Sequence, residues 1–365
     1  MSSLLEKKIS GLLGMPSALS FSRGSAGLYA LLKAISLRLG PGEVIVPTLC
    51  CETVALAAVY AGHTVRFADV SVSTFCATPE TVAPLMSGNT RAVILVHLYG
   101  IDANAASFGA LRQQYPDAVF VEDIAHALGG HDRDGRLVGS ALDHTLISFA
   151  DSKIIPGDGG ILLSVSSAIA PEELAATIDV QAERDPRPRL ALSMRNLVHG
   201  VADLWREEEG VRPALVFPEM LERYRALVVS PGGIADEQAV SDELDHLQSN
   251  QQERYGNYKR YRAGITGSSA MVPHLHEGST CWRCPVVFKT PAQAAVVTNA
   301  LRAECNPASN HYFPLNVLFG AAPCPQGEYV ALRMVNLWTE RGMHDTISRS
   351  IDTINDITGR NLKDI

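Results

Sequence analysis

A chain of 365 residues with 46% hydrophobic content can bury a large core and exceeds the usual size of one compact domain. Its net charge of -8, with Lys and Arg scattered rather than clustered, argues against a nucleic-acid or anionic-membrane surface. Seven cysteines, an odd number spread along the chain, suit reduced thiols in a cytoplasm better than a disulfide frame, and no stretch approaches the roughly 18 uninterrupted apolar residues of a membrane span.

The opening MSSLLEKKISGLL lacks an apolar export core followed by a small-residue cleavage site, and Leu4, Leu5, Ile9, Leu12 and Leu13 are spaced for an amphipathic helix. Through residue 165, short β-rich runs alternate with helix-length stretches, the pattern of parallel βαβ units. The expected strands are Ala18–Ser22, Glu43–Val46, Thr64–Ala68, Ala92–His97, Ala118–Glu122, Thr145–Ser148 and Gly160–Ser164, with helices such as Gly27–Arg38 and Cys51–Ala61 between them. VIVP and AVILV are continuous apolar runs, which implies cover on both faces of the sheet. Residues 166–236 read as mainly helical, including PEELAATIDVQAE and LALSMRNLVHGVADLW.

A long polar helix is expected from near Ala235 through DEQAVSDELDHLQSNQQERYGNYKRYRAGI, leading into a second unit. There TCWRCPVVFK and EYVALRMVNL read as strands, and PAQAAVVTNALRAE and HDTISRSIDTINDI as helices. The expected architecture is therefore α/β, with a large domain over 1–235 and a smaller α+β domain over 236–365. Cys281 and Cys284 form one C-x-x-C without a second pair nearby, so strand residues are expected there and no metal site.

Three stretches carry the chemistry. SFSRGSAGLYALL (20–32) runs from a strand through a glycine turn into a helix, offering free N–H groups and a positive helix end to an anion, with Ser25 adding a hydroxyl. Helix capping by Gly24 and Ser25 is the plainer alternative. VFVEDIAHALGG (119–130) places two acids and a histidine at the end of a buried strand, where open α/β sheets hold ligands. Asp123 can pair with a protonated heterocycle nitrogen, His126 lies three residues on, and Glu122 is expected to be a solvated neighbour. ISFADSKIIPGDGG (147–160) puts Lys153 after an apolar strand and before a glycine turn, with Ser148 five residues earlier. Taken alone, Lys153 also suits an ordinary strand edge. Together the three stretches supply a phosphate cradle, an acid for a ring nitrogen and an aldehyde-capturing amine, in the order that pyridoxal 5'-phosphate (PLP) needs.

On these residues the sequence resembles the DegT/StrS family of aminotransferases, of the aspartate aminotransferase type of fold (PLP-dependent transferase fold type I). The similarity runs through SRGSAGLYALL (22–32), GPGEVIVPT (40–48), YAGHTVRFADV (60–70), VHLYG (96–100), VEDIAHALGG (121–130), LVGSALDHTLISF (137–149), SKIIPGDGGILL (152–163), HYFPL (311–315) and VNLWTERGMHD (335–345). The resemblance implies a mainly parallel seven-stranded sheet covered by helices and a smaller C-terminal α+β domain. It implies that Lys153 holds the cofactor and moves protons, that Asp123 pairs with the pyridine N–H, and that Ser148, Ser25 and the backbone of Gly24 and Ala26 hold the phosphate.

Where the family generally has Gln this chain has His126, placed at the phenolic oxygen or ring face of the cofactor, and Cys51 stands where an aromatic usually stacks. The implied reaction moves an amino group from an amino acid, Glu or Gln by family resemblance, to a keto sugar attached to a nucleotide, in a cytoplasmic homodimer with shared sites. The alternatives are a PLP enzyme acting on a small non-nucleotide ketone or amino acid in specialised metabolism, its pocket lined by Cys51, His311, Tyr312 and Trp338, and a non-catalytic regulator on the same scaffold.

Overall fold

The computed structural model describes residues 2–165 and 228–359 and, between them, residues 174, 196, 200, 205 and 224–226. Most of the helical stretch expected over 166–236 lies outside the described residues. The first helix, α1 (Leu4–Leu13), is held at its start by a reciprocal pair in which Ser3 Oγ accepts the Glu6 N–H and the Glu6 carboxylate accepts the Ser3 N–H. Gly14 ends it in the left-handed conformation.

Seven strands follow: β1 (Ser17–Phe21), β2 (Glu43–Pro47), β3 (Thr64–Ala68), β4 (Thr90–Val96), β5 (Val119–Asp123), β6 (His144–Ser148) and β7 (Gly160–Ser164). They form one sheet in the order β1-β7-β6-β5-β4-β2-β3, parallel from β6 to β3, with β7 and β1 antiparallel at one edge. The alternation of side chains along the strands sends Val44, Val46, Ala92, Ile94 and Val121 into the larger core beneath α2 (Gly24–Leu39) and α3 (Glu52–Tyr60). Ile45, Val93, Leu95 and Phe120 face the other way, onto Phe108 and Leu111. Both faces of the sheet are thus dry, which explains why the strands read as unbroken apolar runs.

A second, antiparallel sheet is built from β8 (Ala270–Met271), β9 (Arg283–Phe288), β10 (Ala308–Ser309) and β11 (Met334–Trp338), in the order β10-β11-β9-β8. Three sequence readings change here. The long polar helix is two helices, Glu237–Asp245 and Leu247–Gly264, meeting at His246. The first docks on α1, where Lys8 Nζ bonds the Ser241 carbonyl at 2.7 Å, whereas the second turns Tyr261 to the small sheet, its hydroxyl 3.2 Å from the Trp338 carbonyl. EYVALRMVNL is not one strand: its first half belongs to the helix Pro325–Arg333, started by Pro325, and only Met334–Trp338 is extended. The strand expected from Thr280 begins at Arg283, because Cys281 sits at φ +50° and cannot continue a ladder. Cys284 is in the strand and Cys281 is outside it.

The helix start and the antiparallel edge meet at very close range. A Cβ on Gly160 would lie 2.4 Å from the Gly24 nitrogen and 2.7 Å from the Ile147 carbonyl oxygen, all of it backbone that cannot swing away. Gly160→Ala is expected to destabilise the protein by about 1–3 kcal/mol through overpacking. Gly88→Ala, in open space, should stay within about 0.5 kcal/mol of wild type; urea unfolding of the two variants side by side checks the contrast.

Candidate active site

β5 ends at Asp123, β6 ends at Ser148, and α2 begins against them. A Cβ on Gly24 would stand 3.1 Å from the Ile147 carbonyl oxygen and 3.2 Å from the Ser148 Cβ, so only a glycine lets the helix start this near the strand end without a shift. Arg23, at the N-cap, gives no side-chain cap. The N-terminus of α2, through Gly24, Ser25 and Ala26, therefore offers backbone donors and a positive dipole end next to the Ser148 hydroxyl. This is a cradle of the right chemistry for a phosphate.

Past β6 the chain folds back on itself. The N–H groups of Gly157 and Asp158 both donate to the Phe149 carbonyl at 2.8 Å, and the Lys153 N–H donates to the Ala150 carbonyl at 2.8 Å. This turn aims Lys153 inward, and its Nζ lies 2.8 Å from His126 Nε2. Asp123 is buried, with Oδ1 accepting the Ala125 N–H at 2.9 Å. Burial raises its pKa, opposed by that hydrogen bond and by the charges of Lys153 and His97.

The imidazole of His126 is enclosed by aromatic rings. Trp282 stacks on it with centroids 3.7 Å apart and planes 6° from parallel, and Tyr312 brings its hydroxyl 3.2 Å from Nε2. The Tyr99 N–H points at Nδ1 from 3.4 Å, and Nε2 faces Lys153 and Tyr312. Burial, reinforced by the nearby Lys153, Arg283 and His311, pulls the His126 pKa well below the ordinary histidine range. The ring is neutral at physiological pH.

Lys153, Asp123, His126, Ser148, Gly24, Ser25 and Ala26 thus converge at one end of the sheet. Cys51, at the N-cap of α3, is close enough for the Lys153 charge to act on it, and its Sγ is 3.1 Å from Thr53 Oγ1. Burial and the Glu52 carboxylate push its thiol up to about 12, against Lys153, so it stays protonated and unreactive at neutral pH. Tyr312 is on the wall of the site, and His311 lends its carbonyl, which accepts from Tyr99 Oη and Asn336 Nδ2. Trp338 is one layer farther out, separated from the Trp282 indole by Arg283, whose guanidinium carbon is 4.2 Å from the Trp282 ring and 4.3 Å from the Trp338 ring. Among the described residues no group of three or more His, Cys, Asp and Glu could hold a metal ion.

Sequence reasoning missed four residues here: Trp282, Arg283, His97 and Glu122. Glu122 is not solvated; it is 1% exposed and accepts the N–H groups of Gly139 at 2.9 Å, Ala141 at 2.8 Å and Leu142 at 2.9 Å. His97 Nε2 is 3.2 Å from its other side, while His97 Nδ1 accepts the Ala103 N–H at 3.1 Å. The period of two held the clue, since neighbours in a strand covered on both faces point to opposite sides, and an acid beside Asp123 must be buried and paired. Burial alone raises the Glu122 pKa, but His97 and the backbone donors outweigh it and hold the group below its ordinary value.

A carboxyl lowered on folding stabilises the protein above the ordinary carboxylate range and loses that contribution as the pH falls through its folded value. Glu122→Gln, which turns an accepting oxygen into an NH₂ facing N–H groups, is expected to cost about 1–3 kcal/mol at neutral pH. The gap to wild type should close in acid; urea unfolding across a pH series reads it.

The sequence model of the DegT/DnrJ/EryC1/StrS aminotransferase family matches residues 2–183. Over 348 residues the chain is 29% identical to the UDP-N-acetyl-3-dehydro-alpha-D-glucosamine 3-aminotransferase of Acidithiobacillus ferrooxidans, covering 91% of this chain and 82% of that protein. Its fold matches PseC of Helicobacter pylori, an aminotransferase of pseudoaminic acid biosynthesis, with a TM-score of 0.76 at 18% identity over 98% of this chain and 90% of that one. It also matches Spr1654 of Streptococcus pneumoniae, described as a sugar aminotransferase and solved in its PLP form, with a TM-score of 0.73 at 19% identity over 97% and 90% of the two chains. The PMP form of Spr1654 matches with a TM-score of 0.72 at 19% identity, over 97% of this chain and 89% of that one.

Proposed function

Because the chain belongs to the DegT/DnrJ/EryC1/StrS aminotransferase family, we propose that it uses pyridoxal 5'-phosphate to move an amino group from an amino acid, Glu or Gln, to the carbonyl of a keto sugar linked to a nucleotide. Its fold is that of the PLP-dependent transferases of fold type I. The observation that carries the reading is the meeting of Lys153, His126 and Asp123 with the uncapped start of α2 at one end of the sheet.

The residues fit the cofactor. Backbone donors of Gly24, Ser25 and Ala26, with the hydroxyls of Ser25 and Ser148, would hold the phosphate; Asp123 would pair with the pyridine nitrogen, and Lys153 would capture the aldehyde. When bound, the cofactor supplies a conjugated ring that accepts electron density as a Cα–H bond breaks. The Asp123 carboxylate, in a dry setting where its charge is felt strongly, would keep the ring nitrogen protonated. Lys153 Nζ, the amine that would hold the aldehyde, would also be the group placed to move a proton at the substrate carbon. His126, held neutral by burial, presents Nε2 to this space beside Lys153 and Tyr312. Cys51 leaves one wall of the site small and uncharged.

We further propose a domain division near residue 235, a homodimer with shared sites and a cytoplasmic setting; the seven unpaired thiols suit the last, and no described helix is long and apolar enough to cross a membrane. The aromatic wall of Trp282 and Tyr312 around His126 favours a second reading, a small non-nucleotide ketone as acceptor.

Protein supplied with PLP should show a visible Schiff-base band that borohydride abolishes, and Lys153→Ala should form no reducible adduct. Asp123→Asn should lower kcat by about 10²–10³-fold, the scale of a lost preorganised electrostatic contact. Single turnover of protein loaded with pyridoxamine phosphate, against nucleotide-linked keto sugars and small ketones, separates the two acceptor readings; no response to either class overturns the transaminase assignment.

A further inference from the structure

Trp282 belongs to the small sheet's side of the molecule, yet its side chain reaches into the strand-end site of the large sheet. Cys281, at φ +50°, breaks the strand just before it and throws the indole outward from the start of β9. The ring makes three contacts there. It stacks on His126 at 3.7 Å and 6°, its Nε1–H donates to the Ser152 carbonyl at 2.6 Å, and the Lys153 ammonium lies 5.2 Å from its centroid. One rigid side chain therefore touches the histidine, the lysine and the residue that precedes the lysine.

The indole is itself held from behind. Arg283 packs on it, ion-pairs with Glu340 at 3.0 Å and lies against Trp338, its cross-strand partner in the β9–β11 register. The Trp282 carbonyl accepts from Arg254 Nη1 at 3.3 Å, Arg283 Nη1 at 3.0 Å and Thr339 Oγ1 at 3.1 Å, so the backbone that carries the indole is fixed as well. Arg254 and Arg283 are both buried. A mount of this kind holds the orientation of the group it carries.

We propose that Trp282 is a positioning residue of the transaminase site: its indole sets the plane of His126 by stacking and the approach of Lys153 by holding the Ser152 carbonyl, so that the small sheet governs the geometry of an imidazole and an amine carried by the large one. The groups that face His126 are Lys153, Arg283, His311, Tyr312 and the backbone of Tyr99. Trp282 is the one that covers the flat face of the ring in parallel, which fixes its tilt as edge contacts do not. The inference rests on the functional reading above, but the contacts are present without any ligand and can be tested without one.

Two variants separate the parts. Trp282→Phe keeps an aromatic face and loses the N–H to Ser152, whereas Trp282→Leu keeps an apolar side chain and loses both. In ligand-free protein with selectively labelled histidines, the His126 ring protons should be shifted upfield by the indole, retain most of that shift in Trp282→Phe and lose it in Trp282→Leu. With PLP added, Trp282→Leu should lower kcat by about 10–100-fold, the scale of a small misplacement of reacting groups, with the pH midpoint of the visible band displaced and KM for the donor changed less than kcat. Trp282→Phe should fall between Leu and wild type. A folded Trp282→Leu protein with wild-type histidine shifts, band titration and kcat overturns the proposal. Failure of wild-type protein to form a reducible adduct with PLP would instead overturn the functional reading and leave the nuclear Overhauser contacts of the His126 ring with Tyr99 and Tyr312, compared in ligand-free wild type and Trp282→Leu, to decide whether Trp282 orients His126.

Discussion

The site stands on a carboxylate that takes no part in its chemistry. Glu122 gathers three backbone N–H groups from the 139–142 segment and the ring of His97, and that segment leads directly into β6. Its neighbour Asp123 faces the other side of the same strand. Fixing Glu122 fixes the entry to β6, and so the register Glu122–Thr145 and Asp123–Leu146 across the β5–β6 pair. Ser148 and the turn that carries Lys153 follow from that register. A buried charge so placed is tolerable only because every side of it is met by a donor, and removing any donor would leave it exposed to a low-dielectric surrounding.

The second constraint is the absence of side chains. Gly24 and Gly160 let the start of α2, the end of β6 and the start of β7 approach to backbone contact, which puts a helix N-terminus where an anion can sit beside Ser148. A methyl group at either position would push the helix away from the strand end. The gap between the helix start and the strand end is thus made by what the two residues lack, and it would be widened by substitutions that look conservative.

Charge at the site is arranged by burial. Asp123 is pushed up and His126 pulled down in their tendency to hold a proton, each toward its neutral form, until a charged partner arrives. The thiol of Cys51 is kept protonated by the same means. Lys153 is the amine among these groups, and the small sheet completes the site by laying Trp282 on His126 and turning Trp282 Nε1 to the Ser152 carbonyl.

Much of this was legible in the chain itself. The seven strands, the helix after Arg23, and the roles available to Lys153, Asp123 and Ser148 came from local periodicity, glycine turns and the ordered spacing of three motifs, all properties of short segments. Long-range packing decided the rest. EYVALRMVNL carries apolar residues compatible with either period, and packing against the small sheet made its first half a helix. Glu122 read as solvated because its partners, Gly139 to Leu142 and His97, are brought to it by other strands. Trp282 and Arg283 read only as strand residues between two cysteines, more than 120 residues from Lys153, since nothing in a local window records that the start of β9 reaches the strand-end site. The sequence by itself determined which residues could do chemistry, because that depends on residue type and local turn geometry; only the tertiary structure decided which residues hold them in place, because that depends on contacts between segments far apart in the chain.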